Sequence, residues 1–567
     1  MDDLWDLGPL DGMPEGAPCL KKAPDGQRLA CVRRAEGGVD VLDDRCPHEG
    51  YPLSQGRVAD GVLTCKWHNW KFDLPTGECT FGGEAVRRFE AKVDARGHVM
   101  VDGKLDEAKE RVRVTKSLRG GFARGDTSQT TRDALRLAAL SGEQGIAAPF
   151  EVLLGDALAR ERYGFNHPEA CGIDLWTWVA RGWLAPEPSC AAAATIIGEP
   201  LRYLPERARA LPMETAWDDA RHVSTALENE ARDEAEGRAR FLAKEDAANT
   251  IALALLPFVR RALYDYGHGA IYTGKALEIV KAFPALAEEA VGSLTVSLAW
   301  ATEETALPAW TATREGVARS VMIDRVGSTP FSPEARGAFE AQILAGEKEA
   351  VHATLEAIAK GTDVSGVLIA IGHAAAVRLG RFDLAWERRE DTDIGFLDVT
   401  HAVTCARAMQ ELWALSPRAE NASLAVVAAS FVGKLKKADS PTLSPPDAFV
   451  GDARASRLVD AVRAREPARA RAMAARFDRA TRLEAYRALA PFAAFDAAVR
   501  PILLAHTIKM TEALYRMEIE DGREGGGAYL DALVRFLATE VPERTFGKTA
   551  NVAKQFLEDG RPPVGLY

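Results

Sequence analysis

The first hundred residues alternate apolar and polar positions over short segments that end at Gly or Asp-Gly turns. Examples are "LACVRRAEGGVDVLD", "GRVADGVLTC" and "GHVMVDG". Alternation with a period of two is typical of antiparallel strands that bury one face, and Asp-Gly favours tight hairpin turns. We therefore predict a small antiparallel all-β domain over residues 1–105.

The pattern changes beyond residue 105, where Ala-rich segments carry apolar residues three and four positions apart. Examples are "THAVTCARAMQELWAL", "ASLAVVAASFVGKLKKA" and "LLAHTIKMTEALYRMEI". This spacing places the apolar side chains on one face of an α-helix. Residues 131–567 are therefore predicted to form a large all-α domain. The charged stretch over residues 106–130, which also contains Gly, Ser and Thr, is predicted to be a linker.

Composition narrows the class of protein. The chain has 567 residues, 47% of them hydrophobic, and a net charge of -11. An acidic chain binds nucleic acid and anionic membranes poorly, so we expect neither partner. Apolar runs such as "TIALALLPFV" are about half as long as a membrane-spanning helix. Eight Cys in so long a chain are too few for a disulfide framework. With no secretory signal at the start, the sequence predicts a cytoplasmic protein.

Two Cys-His pairs lie close together in the β region. They are Cys46 and His48, spaced C-x-H, and Cys65 and His68, spaced C-x-x-H. Two thiolates and two imidazoles could hold a zinc ion. They could also hold a [2Fe-2S] cluster in which neutral His replaces Cys on one iron, so that the cluster accepts an electron more readily. A zinc finger would normally continue into a short helix, whereas strand and turn patterns follow here.

The residues around these pairs sharpen the choice. "PLSQG", "CKWHNWKFDLPTGE" and "GHVMVDG" resemble the Rieske family over residues 20–103. The resemblance implies a [2Fe-2S] cluster on the four Cys and His residues, reduced by an external electron donor such as a ferredoxin reductase. Trp67, Trp70 and Phe72 are expected to cover the cluster with apolar surface.

The sequence departs from the usual Rieske pattern in two places. Asn69 follows the second His, where such motifs usually carry Gly. Phe81, Gly82 and Gly83 stand where a Pro-rich loop often covers the cluster. Both departures bear on the redox potential of the cluster and on the surface with which it docks. They do not change the prediction that a cluster is bound.

A Rieske domain fused to a large domain usually serves a second redox site. Ring-hydroxylating oxygenases would use two His a few residues apart and a carboxylate as iron ligands. The eight other His lie at positions 98, 167, 222, 268, 352, 373, 401 and 506, and no two of them are within ten residues. The helical composition also disagrees with the mixed α/β catalytic domain of that family, so we set that type of domain aside.

Four of these His lie in predicted helices among small residues, where a bundle core has room for a metal ion. They are His222, His268, His401 and His506. "GHGAIYTGKALEIV", "DVTHAVTCARAM" and "AHTIKMTEAL" resemble segments of the questin oxidase-like family. Those all-helical proteins are associated with oxidation of aromatic polyketide rings, and some relatives carry a Rieske domain.

The resemblance implies a mononuclear non-haem iron bound by several His, with a carboxylated Lys as a further ligand. We carry the metal role onto His222, His268, His401, His506 and Lys509. His222 has the shortest match, and His167 or His373 could replace it. O2 chemistry also requires an open coordination position, so not every candidate can bind at once.

Lys509 has two alternative interpretations. His506, Lys509 and Glu512 are three residues apart and share one helix face. A carbamate on the Lys509 amine would supply the negative oxygen ligand that a His-only site lacks. Without that modification, Lys509 would be a surface lysine paired with Glu512.

The sequence therefore predicts an iron-dependent oxygenase that uses O2 on an aromatic or polycyclic substrate. The alternative is a Rieske electron carrier whose helical region is a metal-free scaffold for docking a partner. Iron content separates the two, because the carrier would bind only the two irons of its cluster.

Overall fold

The computed structural model describes residues 4–389, 391–392, 394–441, 446, 448–496, 501–523, 527–541 and 546–560. Two compact units divide the chain. The N-terminal unit comprises Met1–Leu153 and Leu201–Tyr203, and the helical unit comprises Leu154–Pro200 and Leu204–Tyr567. The division thus falls later in the chain than the boundary predicted near residues 105–130.

The strands of the N-terminal unit form three antiparallel sheets, with orders β1-β11-β10, β2-β3-β4-β9 and β5-β6-β7-β8. Their bounds are β1 (Leu4–Pro9), β2 (Pro18–Lys22), β3 (Arg28–Arg33), β4 (Val39–Asp43), β5 (Arg57–Ala59), β6 (Val62–Thr64), β7 (Lys71–Asp73), β8 (Cys79–Phe81), β9 (Arg88–Phe89), β10 (Ala91–Val93) and β11 (His98–Asp102).

Strand β3 shows why the alternation predicted the sheets correctly. Ala30 and Val32 point into one apolar core, and Leu29 and Cys31 point into a second core on the opposite face. Successive side chains of a strand point to opposite faces, so a strand buried on both sides serves two cores. The predicted all-β domain followed by an all-helical region is confirmed.

The helices follow the β region in chain order. Their bounds are α1 (Glu107–Arg124), α2 (Thr127–Leu140), α3 (Ala147–Arg160), α4 (His167–Ala180), α5 (Pro186–Ala193), α6 (Glu199–Leu201), α7 (Arg221–Glu228), α8 (Arg232–Thr250), α9 (Leu256–Val259), α10 (His268–Ala282), α11 (Ala287–Trp300), α12 (Thr311–Ser320), α13 (Pro333–Ala345), α14 (Glu347–Ala359), α15 (Val364–Arg381), α16 (Ala385–Arg388), α17 (Phe396–Leu415), α18 (Ser423–Lys434), α19 (Ala455–Arg463), α20 (Pro467–Ala474), α21 (Arg479–Pro491), α22 (Pro501–Asp521), α23 (Ala528–Ala538) and α24 (Phe546–Asp559).

The predicted linker over residues 106–130 is wrong, because most of this stretch is helix α1. The carboxylate of Asp106 caps its N-terminus by accepting a hydrogen bond from the Lys109 backbone. Its buried residues Val114, Leu118 and Phe122 recur every four positions and form an apolar stripe along the helix. This stripe packs, and the charged residues lie between its members in the sequence. Helix α1 packs against α2 inside the N-terminal unit.

Helix α2 is joined to the β region by a buried ion pair. The Glu84 carboxylate is fully buried and is bonded by the guanidinium groups of Arg132 and Arg136. The Arg113 side chain of α1 also donates to the carbonyl of Ala85. The α1–α2 hairpin is therefore part of the same folded unit as the sheets.

Helix α15 is both long and apolar. Among the described residues it is the one helix long and apolar enough to cross a membrane, judged by length and composition alone. Of that window, 67% is buried inside the protein. A core helix of a globular protein has the same properties, and in this structure α15 packs against α17 and α23.

Candidate metal centres

Four helices, α4, α10, α17 and α22, surround a group of histidines in the helical unit. His167 and His268 are the first residues of α4 and α10, while His401 and His506 lie between the first and second turns of α17 and α22. Helix α4 contacts α10 and α22, and α17 contacts the same two helices, so the four close into a ring.

Ion pairs further along these helices show that all four run in the same direction. Asp174 and Lys275, each seven residues after its His, are bonded at 2.6 Å. Arg516, ten residues after His506, pairs with Glu278 and Glu411, each ten residues after its own His. Because an α-helix rises by a constant amount per residue, equal offsets mean equal levels in a parallel bundle.

The four imidazoles converge in the core of this bundle. Ring nitrogens of His167, His268 and His401 lie within 4.8 Å of one another. The His506 ring lies 4.8 Å from that of His401 and 5.3 Å from that of His167, measured between centroids. The structure thus brings together three of the four predicted helical His and adds His167.

Hydrogen bonds occupy the Nδ1 atoms of three of these rings. Nδ1 of His167 lies 2.8 Å from the Tyr272 hydroxyl, and Nδ1 of His268 lies 3.2 Å from the Asp265 carboxylate. Nδ1 of His506 lies 2.9 Å from the Thr400 hydroxyl. Such partners fix the orientation of a ring and leave Nε2 as the atom that faces the centre.

The remaining nitrogens are suited to a cation. Among the described residues, Nε2 of His167, Nε2 of His268 and both ring nitrogens of His401 are buried without a hydrogen-bond partner. Burial lowers the pKa of His167, His401 and His506 well below the usual value, and it lowers that of His268 as well. Neutral imidazoles with free lone pairs are the form that binds transition metals.

Lys509 lies one helical turn beyond His506 and is buried, with 2% of its surface exposed. Its Nζ has no hydrogen-bond partner among the described residues. Burial lowers the pKa of this amine to about 8. The interpretation of Lys509 as a surface lysine paired with Glu512 is therefore wrong: Glu512 accepts hydrogen bonds from Trp178 and Arg181 instead.

His222 does not belong to this centre, so its assignment as a metal ligand is wrong. Its side chain is 58% exposed on α7, and its nearest charged partner is Asp219 at 4.0 Å. The reserve candidate His373 is also elsewhere, with its Nδ1 3.0 Å from the Glu340 carboxylate. Whether the His222 side chain is exposed depends on how the helices pack against one another. The small residues around His222 in the sequence do not indicate that packing.

His167 takes the place that the sequence analysis gave to His222. It begins α4 after Asn166, and Glu169 completes a capping box by accepting from the Asn166 backbone. The sequence "NHPE" contains this signal, because Asn, then Pro, then Glu is a common order at a helix N-terminus. The capping box therefore places His167 at the N-terminal end of α4. At this position its ring lies beside the imidazoles of the other three histidines.

A partly exposed segment before α10 lies beside the centre. The Tyr266 ring lies 6.1 Å from the His401 ring and is 40% exposed. Asp265, Tyr266 and Gly267 all have positive φ angles, of 48°, 55° and 85°. Consecutive left-handed residues are costly outside Gly, and such strain collects at functional sites. This segment therefore places a partly exposed aromatic side chain next to His401.

In the N-terminal unit, two loops bring the Cys-His pairs together. Cys46 and His48 follow β4, and Cys65 and His68 lie between β6 and β7. Both Cys are buried, and the two imidazole centroids are 4.5 Å apart. Burial raises the pKa of Cys46 to about 12. A thiolate at that position therefore needs a cation beside it, as a cluster would provide. Nδ1 of His48 is buried without a partner among the described residues.

Comparison with known proteins agrees with this geometry. The family model of the Rieske [2Fe-2S] domain matches residues 6–89. These residues form a Rieske [2Fe-2S] domain. The match confirms the resemblance inferred from the sequence and removes the zinc alternative.

The Rieske domain also carries the similarity to individual proteins. A 4beta-methylsterol monooxygenase of Methylococcus capsulatus is 51% identical over 78 residues, which are 14% of this chain and 21% of that protein. The 3-chlorobenzoate-3,4-dioxygenase oxygenase subunit of Comamonas testosteroni is 46% identical over 54 residues, 10% of this chain and 12% of that subunit. The chain thus spans no more than 21% of the length of either relative.

A solved structure shares the same region. The ferredoxin of carbazole 1,9a-dioxygenase from Nocardioides aromaticivorans is 25% identical and covers 18% of this chain and 98% of its own. Its TM-score of 0.17 is too low to support any conclusion about the fold.

The three aromatic residues predicted to cover the cluster differ in their burial. Trp70 is 9% exposed and stacks on His48 at 4.6 Å, and Phe72 is fully buried. Trp67 is 60% exposed, and its ring lies 5.6 Å from that of His68, measured between centroids. Phe81, in the segment that replaces a Pro-rich loop, is 57% exposed. Of the two exposed aromatic side chains, Trp67 thus lies within the second Cys-His loop and Phe81 at the end of β8.

The structure explains Asn69 in the Rieske motif. This residue has a φ of 63°, in the left-handed region. Its backbone donates to the carbonyl of Cys65 and closes the turn that carries His68. Asn adopts this conformation more readily than other side chains, so it can stand where Gly is usual.

Proposed function

We propose that this protein is an oxygenase in which the Rieske cluster passes electrons to a mononuclear non-haem iron in the helical unit, and that it oxidises an aromatic or polycyclic substrate with O2. The main support is the convergence of His167, His268 and His401, each of which has a buried ring nitrogen without a partner among the described residues, with the His506 ring beside them. The names of the two relatives, a monooxygenase and a dioxygenase subunit, agree with oxygenase chemistry.

The Rieske cluster would be held by Cys46 and Cys65 on one iron and by His48 and His68 on the other. Such a cluster supplies electrons one at a time. The His68 side chain is 40% exposed, which makes it the accessible ligand. We expect an external donor, such as a ferredoxin reductase, to deliver electrons on that side.

The second iron would be held by His167, His268, His401 and His506, with Lys509 as the further ligand if its amine carries a carbamate. Iron bound there supplies the redox chemistry with O2. The four neutral imidazoles supply nitrogen donors, and a carbamate would add one negative oxygen. Asp265 holds His268 so that Nε2 faces the other rings.

Iron content tests this assignment. We expect three irons per chain in the purified protein, two in the cluster and one in the helical unit. A His401→Ala, His506→Ala double variant removes two donors from the helical centre, so it should lose one iron and keep the absorption of the cluster. Elemental analysis combined with visible spectra measures both quantities.

The matched control is His222→Ala, which changes an exposed histidine outside the centre and should retain three irons. Two irons in the wild-type protein would favour an electron carrier with a metal-free helical region. Three irons in the double variant would show that the ligand assignment is wrong.

A further inference from the structure

We propose that Glu278 and Lys275 form a proton path from an open pocket of the helical unit to the buried side of the histidine centre. This inference rests on the proposed function, because a proton path has a use here only if O2 reacts at the histidine centre. The residues that form it are charged but bind no metal. It concerns the end of the bundle opposite to Tyr266.

A small cavity lies directly beyond the histidines. Its volume is about 20 Å³, which is room for one water molecule. Ile271, Thr404 and Lys509 line it, and each lies three residues after a histidine of its own helix. The cavity is therefore about one helical turn below the level of the rings. Lys275 lines it as well.

A larger pocket of about 750 Å³ opens further along the same helices. Trp176 and Leu277 contribute apolar walls, and Glu278 and Arg516 contribute charged groups. Arg407 and Glu411 line both this pocket and the small cavity. One layer of charged side chains therefore separates the two spaces.

Lys275 and Glu278 connect these spaces by direct hydrogen bonds. Nζ of Lys275 donates to Glu278 at 3.1 Å and to Asp174 at 2.6 Å. Glu278 faces the outer pocket and Lys275 faces the inner cavity. The carboxylates of Asp174 and Glu278 outweigh burial and raise the pKa of Lys275, so this side chain stays charged. A proton can thus pass from pocket water to the Glu278 carboxylate, and Lys275 gives a proton to the cavity water only in the step in which Glu278 reprotonates it.

Glu278 is better placed for this role than Glu411. Arg407 and Arg516 each donate to the Glu411 carboxylate at 2.9 Å, and they hold the pKa of Glu411 below its usual value. Glu278 accepts from Lys275 and, at 3.1 and 3.3 Å, from Arg516, but burial and the carboxylates of Glu411 and Glu512 outweigh these cations and raise its pKa.

Asp174 is a second carboxyl group beside Lys275 that can hold a proton. Burial raises the pKa of Asp174 to about 7, and one of its oxygens has no partner among the described residues. Carboxyl groups that hold a proton near neutral pH are suited to general acid catalysis.

The proposed chemistry requires such a path. Insertion of one oxygen atom of O2 into a C–H bond takes up two electrons and two protons, and the other oxygen atom leaves as water. The external donor supplies the electrons, and the cluster relays them one at a time. The protons must come from solvent, and the charged layer is the polar connection that the described residues provide at this end of the bundle.

Glu278→Gln tests the path because it keeps the shape of the side chain but cannot carry the proton. After complete reduction without O2, mixing with O2 should reoxidise this variant about 100-fold more slowly than the wild type. A small weak acid added to the solvent should restore the rate, since it can enter the pocket and deliver protons. Glu278→Asp should retain most of the rate.

The matched control is Glu520→Gln, which removes a partner of Arg407 that lines neither space, and it should reoxidise like the wild type. Reoxidation of Glu278→Gln within about twofold of the wild type, with three irons bound, would overturn the path. So would a slow rate that weak acids do not change, which would indicate a structural role.

A second measurement does not depend on turnover. Infrared difference spectra between the oxidised and reduced wild-type protein should show a change in a protonated carboxyl band that Glu278→Gln lacks. No carboxyl change in the wild type would overturn the path even if the variant loses iron. Only two irons in the wild type would overturn the proposed function and this path together, whereas three irons with normal reoxidation of the variant would overturn the path alone.

Discussion

Residues of the same type have very different surroundings at different positions in this protein. His167 and His222 are both histidines in short helical segments, yet one points into the bundle and the other into solvent. Lys509 is buried without a partner among the described residues, whereas Lys275, on a different helix of the same bundle, is paired with Asp174 and Glu278. The environment of each side chain, and not its type, decides whether it can serve the metal.

Asn69 offers a prediction at this scale. Asn69→Gly should leave stability unchanged, because Gly adopts a φ of 63° without strain. Asn69→Ala should destabilise the Rieske domain by about 1 kcal/mol, because its Cβ disfavours the left-handed region. Loss of cluster absorbance during urea unfolding measures both. An alanine variant as stable as the glycine variant would contradict this reading.

At the scale of elements, the start of α10 shows how a helix places a ligand. Gly267 precedes His268 with a φ of +85°, and a Cβ there would lie 2.9 Å from the Cys405 side chain on α17. Close approach of the two helices at this point brings His268 and His401 together. The N-terminal ends of α4 and α10 also direct their positive ends at the centre, which favours neutral imidazoles over charged ones.

Gly267→Ala should therefore disturb the helical centre. We expect a lower melting temperature and an iron content that falls from three towards two per chain, with an unchanged cluster spectrum. Gly361→Ala is the matched control, because Gly361 has a φ of +84° but open space around the position of a Cβ. It should cost only the backbone strain, about 1 kcal/mol, and keep the third iron. Equal iron losses in both variants would refute the steric explanation.

At the scale of the whole molecule, the chain is organised as two units whose division does not follow the change from strand to helix. The helices α1 and α2 belong with the sheets, held by the buried Glu84 and by the apolar stripe of α1. The Rieske domain is thus the larger part of a mixed unit rather than the whole of it. The parallel bundle of α4, α10, α17 and α22 lies entirely within the helical unit.

Two fragments test this division. A fragment of residues 1–153 should fold with its cluster, because it contains the α1–α2 hairpin. A fragment of residues 1–105 should be less stable, because it leaves the buried Glu84 carboxylate without Arg132 and Arg136, and unpaired buried charges cost several kcal/mol. Thermal melting followed by cluster absorbance compares them. Equal melting temperatures would show that the hairpin is not part of the folded unit.

Short segments of the chain were enough to predict the features that depend on neighbouring residues. The alternation of period two predicted the sheets, the helical spacing predicted the all-helical region, and the spacing of Cys46, His48, Cys65 and His68 predicted the Rieske domain. Tight turns hold each Cys-His pair, so neighbouring residues suffice to specify them. The left-handed turn at Asn69 is of this local kind.

Which distant residues meet became apparent only from the packing of the folded protein. Four histidines from separate helices reach one level because those helices pack in parallel, and periodicity carries no information about which helices become neighbours. For the same reason the sequence favoured His222 over His167, left Lys509 between two interpretations, and took helix α1 for a linker. Helix packing depends on contacts between residues far apart in the chain, and these contacts exist only in the folded protein.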